Sequence, residues 1–209
     1  MAKPTSKTAI VNLALSHLKV DPITSIEPPD SDSKEASAGA KWYDQARRHV
    51  LEEHPWKFAQ KRTTLLAETD APAFEYSKQY QVPSDYIRMN RIGESVDNPL
   101  LDYEIEGDYI LCNEESPLKL VYVYDFTEVT KFSPKFITAL SYALAAMMAY
   151  EITGNASMDD DLWNKYDKMF TTAAAVNGQN RPTRRVERSR FAAARKAGGI
   201  TKAWRGYGY

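Results

Sequence analysis

Leu51-Glu52-Glu53-His54-Pro55-Trp56-Lys57-Phe58-Ala59 is the stretch that decides the fold, because the repeat of apolar residues changes across it. Before it, Ala36, Ala40, Tyr43, Ala46, Val50 and Leu51 recur at near-fourfold spacing, the signature of one buried helix face. Pro55 ends that helix, since the residue before a proline avoids helical backbone angles. After Trp56 the period drops to two, and six segments read as strands: Phe58 to Leu66, Phe74 to Val82, Tyr86 to Ile92, Leu100 to Ile105, Tyr109 to Cys112 and Leu118 to Tyr124. Pro83, Gly93, Pro99, Gly107 and Pro117 separate them, and no helix-length segment lies between, so antiparallel pairing is predicted. The clearest hairpin is Tyr103 to Leu111, turning at Glu106 to Asp108.

Working outward, helices flank this β-rich stretch. A first helix is predicted from Thr5 or Ser6 to Leu18, with Ile10, Leu13, Ala14, His17 and Leu18 as its apolar stripe. Pro22 and Pro28-Pro29-Asp30 make a stiff connection, and Asp32 with Glu35 reads as the capping box of the second helix. Ser133-Pro134 opens a third helix running to about Ile152, apolar nearly all round and therefore central. Ser157 with Asp160 is expected to cap a fourth, which ends at Asn177-Gly178. The fold class is thus α+β. Residues 1–55 and 126–180 form a four-helix bundle, residues 56–125 an antiparallel β-rich insertion between the second and third helices, and residues 181–209 a basic C-terminal arm.

Charge is divided along the chain. From Arg181 to Tyr209 there are nine basic residues against Glu187 alone, whereas residues 1–180 hold 18 basic and 27 acidic ones, so a formal charge of −1 hides two unlike regions. Arginine outnumbers lysine seven to two in the arm, which favours bidentate contacts with carboxylates or phosphates. Arg184 to Ala197 could form one helix, stopped by Gly198-Gly199, but the arm's apolar residues are too few for a core. Such an arm is built to dock on something acidic: a neighbouring subunit, a partner protein or nucleic acid.

Signals for chemistry are weak. His49 and Glu53 could pair along one helix face, but no second histidine joins them at metal-binding spacing. Asp159-Asp160-Asp161 point in different directions and suit the first turn of a helix better than a metal. Glu104, Glu106 and Asp108 alternate along the hairpin and could present carboxylates on one face in the manner of a glycosidase, although a solvated or channel-facing strand is the plainer reading. No phosphate loop, dinucleotide fingerprint or nucleophile elbow occurs, and no catalytic, metal or cofactor residue is assigned. The single cysteine, Cys112, is expected on a strand facing a core. With no signal-peptide pattern after Met1 and no run of eighteen apolar residues, synthesis in the cytoplasm without membrane insertion is expected. Trp42, Tyr43, Trp56 and Phe58 flank the junction of helix and insertion and are expected to pack as core or hinge. Seven of the 13 tyrosines lie in or beside the strands, suiting both sheet cores and subunit interfaces.

Three blocks carry a resemblance: Asn12-Leu13-Ala14-Leu15-Ser16-His17-Leu18, Trp42 to Leu51 with His54-Pro55-Trp56-Lys57-Phe58-Ala59, and Tyr80-Gln81-Val82-Pro83-Ser84-Asp85-Tyr86-Ile87-Arg88. With the helix around Ala139 to Ala145, they make residues 8 to 175 similar to the tail tubular protein A family, the head-to-tail adaptors of short-tailed, T7-like bacteriophages. The resemblance implies a ring of twelve copies in the virion tail, with the portal protein on one side, the nozzle protein on the other and double-stranded DNA passing through the centre. The Arg-rich end is not part of the resemblance, and its docking role is an expectation read from its charge and Trp204. Arg181, Arg184, Arg185, Arg188, Arg190, Phe191, Arg195, Trp204, Arg205, Tyr207 and Tyr209 are the portal-docking candidates, and Glu104, Glu106 and Asp108 the nozzle-facing or channel candidates. Some members of that family are described as degrading polysaccharide, which makes the same three carboxylates the first place to look for that activity; the arm gripping DNA is the other alternative.

Overall fold

The computed structural model describes residues 3–27, 33–94 and 99–179. Four helices and a small antiparallel β insertion between the second and third make an α+β fold. Helix α1 (Lys7–Leu18) starts at Ser6, whose hydroxyl accepts the Ala9 N–H at 3.1 Å. Helix α2 (Lys34–Glu53) starts at Ser33, which accepts the Ala36 N–H at 3.1 Å. The cap is therefore Ser33 and not Asp32, which lies outside the described residues. Helix α3 (Pro134–Thr153) begins behind Ser133 as expected, with Pro134 in the first turn where its missing N–H is harmless. In α4 (Ala156–Gln179) Asn155 takes the capping role, accepting the Ser157 N–H at 3.1 Å, so Ser157 sits inside the first turn instead of before it.

The core of the helical part lies around α3. Its buried residues, among them Phe136, Leu140, Leu144 and Met148, meet α1 and α2. Although α3 is long and apolar enough to cross a membrane by composition, most of its apolar window is buried inside the protein. The buried stripe of α1 is Ile10, Val11, Ala14, Leu15 and Leu18, with Leu13 and His17 only half-buried; on α2, Ala38 and Gly39 turn inward while Ala40 is exposed. The cause is a close crossing. A Cβ on Gly39 would stand 2.7 Å from Val11 Cγ1, so the α1–α2 contact needs a residue without a side chain. Trp56 and Tyr43 are buried in this core, and Trp42 and Phe58 pack against it, which places all four as core residues.

Helix α4 is held on α2 through large side chains. Trp163 and Tyr166 pack against His49, Phe170 packs against His54 and Trp56, and the Tyr166 hydroxyl donates to Glu53. At its far end Asn177 accepts the Lys57 N–H at 3.0 Å and donates to His54 Nε2 and to the Pro55 carbonyl.

Among the described residues the insertion contains six strands: β1 (Gln60–Leu65), β2 (Lys78–Gln81), β3 (Tyr86–Ile92), β4 (Tyr103–Glu106), β5 (Tyr109–Cys112) and β6 (Leu118–Tyr124). They form two three-stranded antiparallel sheets, ordered β1-β6-β3 and β2-β5-β4. Only β4 and β5 are a hairpin between chain neighbours, turning through Gly107-Asp108 with Gly107 at φ 55°. Strand β6 ties the two parts of the molecule together. Leu118, Leu120 and Tyr122 enter the insertion's own core with Tyr80, Ile92, Ile110 and Cys112, whereas Val123 enters the helical core.

Just beyond β6 sits a charged joint. Arg47 of α2, 2% exposed, donates to Asp125 Oδ1, to Asp44 Oδ1 at 3.2 Å and to the Phe126 carbonyl at 3.0 Å. Arg48 reaches the other Asp125 oxygen at 2.7 Å. Consecutive helix residues leave the axis in different directions, yet the long side chains of these two arginines converge on one carboxylate. Burial opposes ionisation of Asp125, but the hydrogen bonds and charges of Arg47 and Arg48 outweigh it and hold the carboxyl below its ordinary value.

Candidate assembly surfaces

Strand direction defines the two ends of the insertion. β6 runs toward the helices, so its antiparallel partners β1 and β3 run away from them and finish at Leu65 and Ile92. The Leu100 N–H bonds the Ile92 carbonyl, the Ala67 N–H bonds Ser116 Oγ and the Ser77 N–H bonds Asn113 Oδ1. These three links gather residues 66–77, 99–102 and 113–117 at the end farthest from the helical core.

That far end exposes large apolar side chains. Leu66, Phe74 and Leu101 are 75%, 80% and 83% exposed, a cost a small domain bears singly but seldom as three at one end. Acidic residues lie at the same end: Glu94, Asp102, Glu114 and Glu115. An open groove at this end is lined by Gly93, Glu94, Leu100, Leu101, Glu114 and Pro117. Lys119 and Lys78 reach in to pair with Glu94 and Glu115. The phenol of Tyr76 is pushed above its ordinary value, first by desolvation and then by the charges of Asp102 and Glu104.

The three carboxylates singled out from the sequence are arranged differently from the strand alternation that suggested them. Glu104 and Glu106 are exposed on one face of β4, paired with Leu111 and Tyr109. Asp108 lies in the turn and not on a strand, and its carbonyl accepts the Val82 N–H at 2.9 Å. A glycosidase pair needs two carboxyls facing each other across a cleft. None of the three lines the far-end groove. The portal-docking candidates from Arg181 to Tyr209 lie outside the described residues.

The histidines are structural in their surroundings. His17 stacks on Tyr142 with centroids 4.0 Å apart and its Nε2 lies 3.1 Å from the Ser141 hydroxyl. His49 Nε2 is 3.3 Å from Glu53 Oε1, the pairing expected from their spacing, but is not aligned as a hydrogen bond. Among the described residues no group of three or more His, Cys, Asp or Glu side chains is placed to hold a metal ion.

Sequence reasoning missed the apolar end. Leu66, Phe74 and Leu101 each fell inside a predicted strand, where a large apolar residue is expected to face the core. Asp70, Pro72 and Pro99 were the available signals, because polar and proline-bearing approaches shorten strands.

Compared with protein-family models and with curated proteins, the chain matches none.

Proposed function

We propose that this protein is a structural adaptor of a phage tail, assembling as a ring between portal and nozzle through which DNA passes. The observation that carries this reading is the far end of the insertion, where Leu66, Phe74 and Leu101 stand exposed at the same end as acidic residues. Large apolar side chains exposed beside acidic ones suit a docking site, and their place at the tip, opposite the helical core, suits the next component of a stack. The acidic balance of residues 1–180 supports the same reading, since carboxylates facing a channel repel phosphate and let DNA slide. The arm from Arg181 supplies opposite charge for the portal side.

Two lesions separate the two ends. Leu66→Ser, Phe74→Ser and Leu101→Ser together are expected to abolish attachment of the nozzle while portal attachment persists. Removal of residues 181–209 is expected to do the reverse. Attachment of both partners to both variants, measured by co-sedimentation of purified components, overturns the proposal.

A further inference from the structure

Two sheets have four edges, and among the described residues two of them are covered. The outer edge of β2 is met by the Glu68 N–H, which bonds the Gln79 carbonyl at 2.9 Å, and that of β3 by the Leu100 N–H on the Ile92 carbonyl at 3.1 Å. The outer edges of β1 and β4 receive no backbone hydrogen bond from any described residue. Open edges are templates for another strand.

The register shows which groups each open edge offers. Gly93 N–H bonds the Lys119 carbonyl, so Lys119 faces β3, and Leu118, Leu120 and Tyr122 face β1. Their partners Leu65, Thr63 and Lys61 point their backbone groups inward, which leaves Gln60, Arg62 and Thr64 facing out. On the other sheet the Val82 N–H bonds the Asp108 carbonyl, so Tyr109 and Leu111 face β4, and their partners Glu106 and Glu104 are the bonded pairs of the hairpin. Tyr103 and Ile105 therefore turn their N–H and C=O groups outward.

We propose that β4 of one copy pairs antiparallel with β1 of the next, with Ile105 opposite Arg62 and Tyr103 opposite Thr64. This register rests on the adaptor-ring reading above and supplies the contact between its copies. It places every residue of β4 against a residue of β1, setting Glu106 opposite Lys61 and Glu104 opposite Thr63 on one face. Both carboxylates then reach Lys61, one directly and one diagonally, and this lysine is half exposed although it also bonds Asp85 at 2.8 Å. The direction fits copies related by rotation about one axis, since β1 runs away from the helices while β4 starts at the far end and returns. Charge sets the partner. Two β4 edges brought together oppose Glu104 and Glu106 to themselves, and two β1 edges oppose Lys61 and Arg62, so like edges repel and unlike edges attract. A contact joining two different surfaces of one chain propagates from copy to copy and closes into a ring when the rotation permits.

The test uses the full chain. Residues opposite each other at a non-bonded antiparallel position have close Cβ atoms, which suits a disulfide. Thr63→Cys with Glu104→Cys is expected to give a ladder of disulfide-linked species on mild oxidation, ending at a closed ring. Arg62→Cys with Glu104→Cys, one residue out of register, is expected to give none. Cys112 is buried and stays silent in both. In the unaltered chain, carbodiimide treatment of mixed light and heavy isotope copies is expected to link Lys61 to Glu106 between copies, and Glu106→Gln to lose that link. Oligomers that form without either crosslink overturn the edge pairing and leave the ring standing. A chain that stays monomeric and uncrosslinked at high concentration overturns both.

Discussion

Asn177 shows how one side chain can set the protonation of another. The Lys57 N–H can only donate and the Pro55 carbonyl can only accept, so the amide of Asn177 is oriented with its oxygen to the first and its nitrogen to the second. That nitrogen also lies 2.9 Å from His54 Nε2, which must therefore accept and carry no proton. Burial, and after it the charge of Arg88 from β3, pushes the His54 imidazole below its ordinary value of 6.5. Because the folded value is the lower one, the unfolded chain binds more protons between the two, and stability falls as pH drops through about 6.5. Nitrogen chemical shifts at neutral pH should report the Nδ1–H tautomer. The midpoint of denaturation should decline from neutral pH toward about pH 5, with a shallower decline in His54→Gln. His17, lowered by burial and then by Lys165, contributes a slope of the same sign that remains in that variant. At the charged joint, Asp125→Ala leaves Arg47 buried beside Asp44 alone and should cost about 3 kcal/mol by urea denaturation. Replacing both members, as Arg47→Met with Asp125→Leu, should cost less than the single change, because no charge is stranded.

At the scale of elements, Gly39 marks the place where α1 and α2 meet. Alanine is the better helix former by about 1 kcal/mol, so an exposed Gly→Ala change would stabilise. Here the new methyl would stand 2.7 Å from Val11 Cγ1, on a side chain whose branching restricts its rotation. Gly39→Ala is therefore expected to destabilise by about 1–3 kcal/mol in thermal or urea unfolding, and Val11→Ala in the same chain to recover part of the loss. How much of the architecture could be read beforehand follows from the same local physics. Strands β3, β5 and β6 coincide with their predicted limits because Pro83, Gly107 and Pro117 punctuate them. β2 and β4 are shorter than predicted, since Phe74 before Lys78 and Leu101 before Tyr103 belong to the exposed end and not to a core face. The Ser133-Pro134 start of α3 is a local signal and was legible. Ser33 in place of Asp32, and Asn155 in place of Ser157, are choices between adjacent capping residues that composition cannot make. The convergence of Arg47 and Arg48 on Asp125, and the open edges of β1 and β4, depend on residues far apart in sequence and lay beyond any periodicity.

For the whole molecule the question is whether the insertion melts with the helices. β6 argues that it does. Leu120 and Tyr122 belong to the insertion's core, Val123 to the helical core, and Asp125 immediately beyond is clamped by α2. Loss of either core removes one wall of the other, so the two should unfold in one transition. The chain carries a reporter for each. Trp56 is buried among Phe58, Phe136 and Phe170 in the helical core, and Cys112 is the single cysteine, buried in the insertion with its thiol pushed up by desolvation. A Trp56 fluorescence change and the onset of Cys112 labelling by a thiol reagent should share one urea midpoint, with Trp42, Trp163 and Trp204 replaced by Phe to isolate the signal. An insertion that opened first would label Cys112 well below the fluorescence midpoint. Residues Met1–Gly178 form a compact unit by themselves, so removing residues 181–209 should leave both midpoints in place. Coincident midpoints in the truncated chain, together with lost portal attachment, would assign the arm to assembly and the body to its own stability, as the opposite charges of residues 1–180 and 181–209 suggest.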